Sequence, residues 1–318
     1  MVLLLSVAVA AAQPLHDPDN GPYTGLFGWP GSTEGGVTTP AGKNAWGLSL
    51  AISSHSVEET RANESILLDG ETRRLGLSFR RGLSRRLELG IEMPWVWHES
   101  GNLDSLIREW HDFFGLPQGN RAGAPEDRLL FEFVTVGLQP VELSRNANGM
   151  GDLRIHAGWQ LRQSPTSSTA LRASIKLPTG DSAKLSGSGG TDLALGLAGD
   201  VTALWNVEAL EGFYRFHAIR LGQPDLLASS THRLVGQLTG GVAYRLSEKA
   251  DLTVQSTLRS AAYDVNVEAL GGWSMSMTFG ATLALADRWR LAIAVSEDIR
   301  VETAPDVTFL LNITRHGL

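Results

Sequence analysis

The sequence contains no cysteine, which excludes a disulfide framework, a thiolate metal site, an iron–sulfur cluster and a cysteine nucleophile. Charge is scarce as well: charged residues make up 19% and the formal net charge is -7. A nucleic-acid binder presents a basic face, so no nucleic-acid partner is expected. Long hydrophobic runs are missing, because no stretch after residue 13 reaches 18 consecutive apolar residues, and no transmembrane helix is expected. The apolar fraction of 42% is nevertheless too high for a disordered chain. What the sequence has in excess is glycine, 35 of 318 residues, where a usual share is ~7%. Abundant glycine with weak charge favours many strands and tight turns, in two ordinary domains or one large β domain.

Met1 to Ala12 reads MVLLLSVAVAAA and is followed by Gln13-Pro14. An apolar run ending in small residues is the core and cleavage site of a secretory signal peptide, and residues 1–12 are assigned to one. A buried N-terminal strand is the alternative; a membrane span would need ~20 apolar residues. The positively charged region that usually precedes such a core is absent. An exported chain with no helical anchor is either soluble in the periplasm or an outer-membrane protein. Residues 13–44, rich in Pro, Gly and Thr, read as an irregular N-terminal segment.

From residue 45 to the end, alternation with period 2 dominates. Leu87, Leu89, Ile91, Met93, Trp95 and Trp97 point one way; Arg86, Glu88, Gly90, Glu92 and Pro94 point the other. Trp273, Met275, Met277, Phe279, Ala281, Leu283 and Leu285 repeat the pattern against Ser274, Ser276, Thr278, Gly280 and Thr282. These runs exceed the ~5–6 residues of ordinary strands and suit the ~9–11 of a membrane strand. Similar runs occur at 45–54, 72–80, 150–161, 169–178, 191–203, 209–221, 232–245, 250–260, 288–298 and 305–315, twelve strands in all. Short connections at 81–85, 162–168, 204–208, 246–249 and 286–287 alternate with long ones at 55–71, 98–149, 179–190, 222–231, 261–272 and 299–304. An even strand count with short turns at one rim and long loops at the other is the pattern of an outer-membrane barrel. The tryptophans agree: Trp95, Trp97 and Trp273 fall at long-loop strand ends, and Trp46, Trp159, Trp205 and Trp289 at short-turn ends. Two interfacial belts are what a membrane barrel requires. The expected fold is therefore all-β: a single transmembrane antiparallel β-barrel of about twelve strands, with both termini periplasmic.

Within the loop 98–149, Leu103, Ile107, Trp110 and Phe114 recur at helical spacing, giving a short amphipathic helix capped by Asn102 and ended by Gly115 and Pro117. The stretch 129–143 adds a small hairpin. This loop is a lid over the barrel mouth, or an element resting on the rim against lipopolysaccharide.

Three stretches carry a resemblance: RLELGIEMPWVWHESGNLDSLIREWHDFFGLPQGNR at 86–121, GMGDLRIHAGWQL at 149–161 and SIKLPTGDSAKLSGSGGTDLALGLAG at 174–199. With them the chain resembles a proteobacterial domain-of-unknown-function family of outer-membrane β-barrel proteins, from about residue 40 to the C-terminus. The motif pair GxGD and KxPTGD is similar to a broader barrel superfamily that includes transporters linked to aromatic-compound degradation. The resemblance implies fold and location rather than chemistry. The chain departs from outer-membrane strands that close on a terminal aromatic, ending instead in Arg315-His316-Gly317-Leu318.

Inward positions offer Arg74, Arg80, Arg86, Glu88, Glu92, Asp152, Arg154, His156, Gln160, Lys176, Asp192, Asp200, Arg215, His217, Gln255 and Arg259 as lumen lining. Most cations are arginine, whose planar fork suits bidentate pairing with carboxylates. Two readings stay open: a salt-bridged lumen that stiffens a closed barrel, and a path for solutes. Asp152 and Asp181 sit beside glycines, where a carboxylate bonds loop amides; the glycines at 187–190 precede a strand rather than a helix and are no phosphate loop. Neither HExxH, GxSxG nor paired metal-ligand spacing occurs, so no metal, cofactor or catalytic residue is assigned. The leading expectation is a narrow channel or transporter for small molecules, apolar ones included, gated by loop 98–149. Its alternatives are an envelope-integrity barrel and a lipid-modifying enzyme using His98 near Ser100 or His55 near Ser54 and Ser56. Expected partners are outer-membrane lipid and lipopolysaccharide, the barrel-assembly machinery and a small solute.

Overall fold

The computed structural model describes residues 14–31, 34–103, 109, 115, 128–286, 288–300 and 303–317. Twelve strands close into an antiparallel barrel: β1 (Asn44–Arg61), β2 (Glu64–Gly82), β3 (Leu87–Glu99), β7 (Leu153–Gln163), β8 (Ser167–Leu177), β9 (Asp192–Val201), β10 (Leu210–Arg220), β11 (Leu234–Ser247), β12 (Ala250–Arg259), β13 (Ser274–Ala286), β14 (Trp289–Asp298) and β15 (Val307–His316). Each pairs with its neighbour in sequence, and β15 closes on β1 from Ala45↔His316 to Ser54↔Val307. Closure leaves no strand edge exposed, the condition for spanning lipid with strands. No described helix is long and apolar enough to cross a membrane, and a barrel crosses with strands instead.

The wall follows from the period of 2. On β9, Leu193, Leu195 and Leu197 are exposed while Asp192, Gly196 and Asp200 are buried; on β10, Tyr214 and Phe216 are exposed while Arg215 and His217 are buried. The outer face is apolar and the inner face polar, the reverse of a soluble barrel.

Three shorter strands decorate the long-loop rim. Strand β6 (Ala147–Met150) pairs with the end of β3 just beyond β7. The two are separated by Gly151 and Asp152, opposite Pro94, whose nitrogen has no proton for a ladder bond; the Gly151 amide donates to the Pro94 carbonyl at 2.8 Å. Strands β4 (Leu130–Thr135) and β5 (Val141–Leu143) form the hairpin expected within 129–143, and β4 pairs with β2 at Glu64–Asp69.

The expected long connection 55–71 is instead strand. β1 and β2 pair continuously from Asn44↔Arg81 to Arg61↔Glu64 around a turn at Ala62-Asn63. At 18 and 19 residues these strands overshoot the barrel. Beyond its rim they face β4 and the short helix α1 (Glu268–Gly271) rather than lipid and lumen, so alternation fades there. Arg86 also departs from expectation: it lies outside β3, exposed in the turn at 83–86, and not in the lumen.

The described residues of 14–43 have no regular structure beyond one short 3-10 turn at Thr24–Leu26 and an isolated bridge from Ala41 to Gly82; those up to Thr39 run inside the barrel, and 40–43 are exposed. Leu15, Tyr23, Leu26, Phe27 and Trp29 are buried at 4% exposure or less. From β1 the segment rises along the lumen to the long-loop end, turns near residues 20–28, and descends again to Leu15. There Leu15 packs with Ala51, Ala294 and Leu310. At the upper turn Tyr23, Phe27 and Trp29 join Ile66, Phe131, Ile219, Val235 and Tyr263 in an apolar cap.

Candidate functional site

The lumen brings together most of the scattered inward charges, and each tier of them holds the N-terminal segment. Near the short-turn rim, the Glu88 carboxylate accepts from the Thr39 amide at 2.6 Å and pairs with Arg172. Arg172 in turn donates to the Gly35 carbonyl at 2.6 Å and the Val37 carbonyl at 3.0 Å. Gln160 accepts from the Thr38 amide at 2.9 Å and donates to the Gly36 carbonyl at 2.7 Å. Asp200 accepts from the Gly36 amide at 2.7 Å.

In the middle tier Arg154 lies 3.4 Å from Glu92 and donates to the Phe27 carbonyl. His156 stands between Glu92 (3.5 Å) and Glu34 of the segment (3.9 Å). Arg74 donates to Asn20 Oδ1 and the Gly25 carbonyl, both at 3.0 Å, while the Asn20 amide donates to Ser53 and the Thr72 carbonyl. Arg259 donates to the Asp17 carbonyl, Thr278 to the Asp17 carboxylate, and Gln255 bonds both the amide and the carbonyl of Leu15.

At the long-loop end Lys176 sits between Asp152 (2.5 Å) and Asp192 (3.4 Å) and also donates to Ser188 Oγ and the Gly190 carbonyl. Asp192 accepts from the Gly28 and Gly222 amides, each at 2.8 Å. The GxGD and KxPTGD motifs thus form one unit. The Lys176–Asp152 pair joins them, Thr179 donates to the Gly151 carbonyl, and the Gly180 amide donates to Asp152. Asp181 caps the 3-10 turn Ser182–Lys184 through the Ala183 amide. No group of three or more His, Asp or Glu poised for a metal occurs among the described residues.

Glu88, Glu92, Asp152, Arg154, His156, Lys176, Asp192, Arg215, His217 and Arg259 are all buried in the barrel interior, at 7% exposure or less. The tryptophans lie on the outer face: Trp95, Trp97 and Trp273 toward the long loops, Trp46, Trp159, Trp205 and Trp289 toward the short turns. Of the lid-helix residues, Leu103 donates its amide to Glu71 at 2.6 Å; Ile107, Trp110 and Phe114 lie outside the described residues.

Sequence reasoning missed the occupant of this site. Residues 14–43 carry no periodicity, and their partners are spread around the wall. Three aromatics in an otherwise irregular run, Tyr23, Phe27 and Trp29, are the signal that could have revealed a buried path. A cavity of ≈ 30 Å³ remains beside His16, Glu34, Glu92 and His156, room for a water or two.

Burial shifts the groups of the segment itself. For Glu34, burial opposes ionisation, but the charges of His156, Arg172 and Arg80 outweigh it and hold the carboxyl at about 2. Burial lowers His16, and the Glu92 charge only partly offsets it. Burial raises the phenol of Tyr23, and likewise that of Tyr263, a loop residue whose hydroxyl donates to the Tyr23 carbonyl.

The barrel fold is similar to that of a solved outer-membrane channel. The COG4313 outer membrane channel from Pseudomonas putida F1 aligns with a TM-score of 0.57 at 13% identity, covering 88% of this chain and 97% of that one. The NanC porin aligns at 0.47 and 10% identity, covering 85% and 97%. The P. putida toluene transporter TodX aligns at 0.40 and 11%, covering 96% and 98%. No curated protein sequence matches the chain. A family profile described as "Protein of unknown function (DUF3187)" matches residues 6–316, the lumen segment included.

Proposed function

The chain belongs to the DUF3187 family of proteins of unknown function, and we propose that it is an outer-membrane channel for small molecules, shut in this conformation by its own N-terminal segment. The observation that supports this reading is the way the segment is held. Along most of the lumen its backbone amides and carbonyls bond to charged or amide side chains of the wall, such as Asp200, Gln160, Arg172 and Arg259. Exchanging such bonds for bonds to water costs only about 0.5–1.5 kcal/mol net per neutral bond and about 1.5–3 kcal/mol where the wall group is charged. Withdrawal of the segment would leave a hydrophilic path lined by both signs of charge.

In this reading the short-turn rim is periplasmic and the long-loop rim extracellular. Residues 1–12, outside the described residues, direct export, and the barrel-assembly machinery inserts the strands. Loop 98–149 is the outer cover, with β4–β5 packed over the apolar cap, and the N-terminal segment is the inner closure.

A closed structural barrel is the second reading, favoured by how fully the lumen is filled beside a cavity of only ≈ 30 Å³. The enzyme reading has little to work with. His98 commits Nδ1 to Thr72 at 3.0 Å and Nε2 to the Leu185 carbonyl at 2.9 Å, and His55 also bonds Thr72. Flux of small polar and apolar solutes into proteoliposomes separates the two main readings. A channel passes solute as the full-length protein and faster when residues 14–38 or 101–118 are deleted. A structural barrel passes none as the full-length chain.

A further inference from the structure

Outside the lumen, a cavity of ≈ 570 Å³ opens on the outer surface at the long-loop rim, between the ends of β9 and β10 and the loop at 221–233. Arg220, His232 and Arg233 line it, and no acidic side chain does. In a chain of net charge -7, two arginines and a histidine gathered without a carboxylate stand out. Several other described cations of this rim are matched: Arg61 by Glu59, Arg73 by Glu71 and Glu99, Arg128 by Asp69, Lys184 by Asp181, and Arg300 by Glu268. Arg220, His232 and Arg233 have no ion pair or side-chain hydrogen bond among the described residues.

The frame of the cavity is fixed. The Leu221 amide donates to the Arg233 carbonyl at 3.0 Å, the Gly222 amide to Asp192, and the His232 amide to the Ala262 carbonyl at 2.9 Å. The apolar surface below it is equally defined. Arg220 is the last residue of β10 on the outward face, opposite Leu193 of β9 and Leu234 of β11, which are 46% and 70% exposed. Beneath Arg220 the same face continues through Phe216 and Tyr214, flanked by Leu195 and Leu238. A cationic cavity thus stands directly above an exposed apolar strip running down the barrel wall.

We propose that this cavity binds the phosphate headgroup of an outer-leaflet glycolipid, with its acyl chains lying along Leu193, Leu195, Phe216 and Leu238. Two guanidiniums suit a phosphate because each offers paired donors and keeps its charge at an interface. A soluble anion would use the cations and leave the apolar strip idle; a neutral lipid would use the strip and leave the cations unpaired. Only a ligand with both parts uses the whole surface. The assignment rests on the membrane reading of the barrel but not on solute transport, so its test involves no flux.

The test is native mass spectrometry of the detergent-solubilised full-length protein, with three probes: bisphosphorylated lipid A, its dephosphorylated form, and inorganic phosphate as competitor. Wild type is expected to retain lipid A at least roughly tenfold better than its dephosphorylated form. Arg220→Gln with Arg233→Gln should remove that preference, while Arg162→Gln at the opposite rim should keep it. All variants should retain heat-dependent electrophoretic mobility, which separates loss of binding from loss of the barrel. Equal retention of the two lipids by wild type, or an unchanged preference in the double variant, overturns the proposal. Displacement of lipid A by millimolar inorganic phosphate overturns it too, since the site would then serve a free anion.

Discussion

The amide of Gly36 donates to the carboxylate of Asp200 across 2.7 Å, and this bond lays the backbone of the N-terminal segment directly on the backbone of the barrel wall. A Cβ at Gly36 would stand 2.6 Å from the Ser168 carbonyl and 2.8 Å from Gly199 Cα. Those atoms belong to the β8–β9 ladder and cannot give way.

Gly36→Val is therefore expected to lift the segment from the wall while leaving the barrel closed. Overpacking of this kind costs about 1–3 kcal/mol. The prediction is faster solute flux in proteoliposomes with heat-dependent mobility intact. Flux equal to wild type would mean that this contact does not hold the path shut.

Lys176 is 2% exposed between Asp152 and Asp192. Lys176→Met strands two buried carboxylates, and breaking a buried pair costs ~3–5 kcal/mol. The temperature at which the barrel loses its fast-migrating electrophoretic form should fall clearly. Adding Asp152→Asn should restore part of the loss, and an undiminished transition temperature in the single variant would count against the role of this pair.

Acid should loosen the segment. His16 and Glu34 both have folded-state pKa values below their ordinary ones, so each binds its proton less readily in the lumen than when released. Stability from such groups is fully present above the unfolded value and is lost as pH falls toward the folded one. For His16 the loss begins below about 6.5, and for Glu34 it begins below about 4.3 and is complete near 2. Because the chain lacks cysteine, a spin label on Leu26→Cys reports on the segment alone. Its mobility should rise as pH drops through these windows, and Glu34→Gln should remove the lower step. A mobility independent of pH would contradict the assignment.

Where each residue meets lipid on one side and the interior on the other, the strands were legible from the sequence. Leu89, Ile91, Met93 and Trp95 face outward and Glu88 and Glu92 inward, as the alternation requires. The alternation is lost where that two-sided environment ends. The tips of β1 and β2, within residues 55–71, lie under β4 and the loops, so their polar runs resemble a loop. Arg86 continued the alternation in sequence, yet the chain there is already turning. The lumen charges could be placed on the inner face, but their partner could not. An irregular segment is specified by its hydrogen bonds to the wall, as Gly36 is by Asp200 and Gly28 by Asp192, and such pairings leave no local pattern.

In this proposal the path through the barrel is shut by the N-terminal segment and opens when the segment leaves. An ideal Cβ at Gly28 lies 3.1 Å from the Cβ of Asp192, near the ~3.5–4.5 Å of a disulfide. Gly28→Cys with Asp192→Cys therefore places the chain's only two thiols where they can tie the segment to the wall. Single-channel recording of this variant before and after a reductant is the most direct test. Silence when oxidised and opening events when reduced are predicted; opening events that persist with the segment tethered would contradict the account.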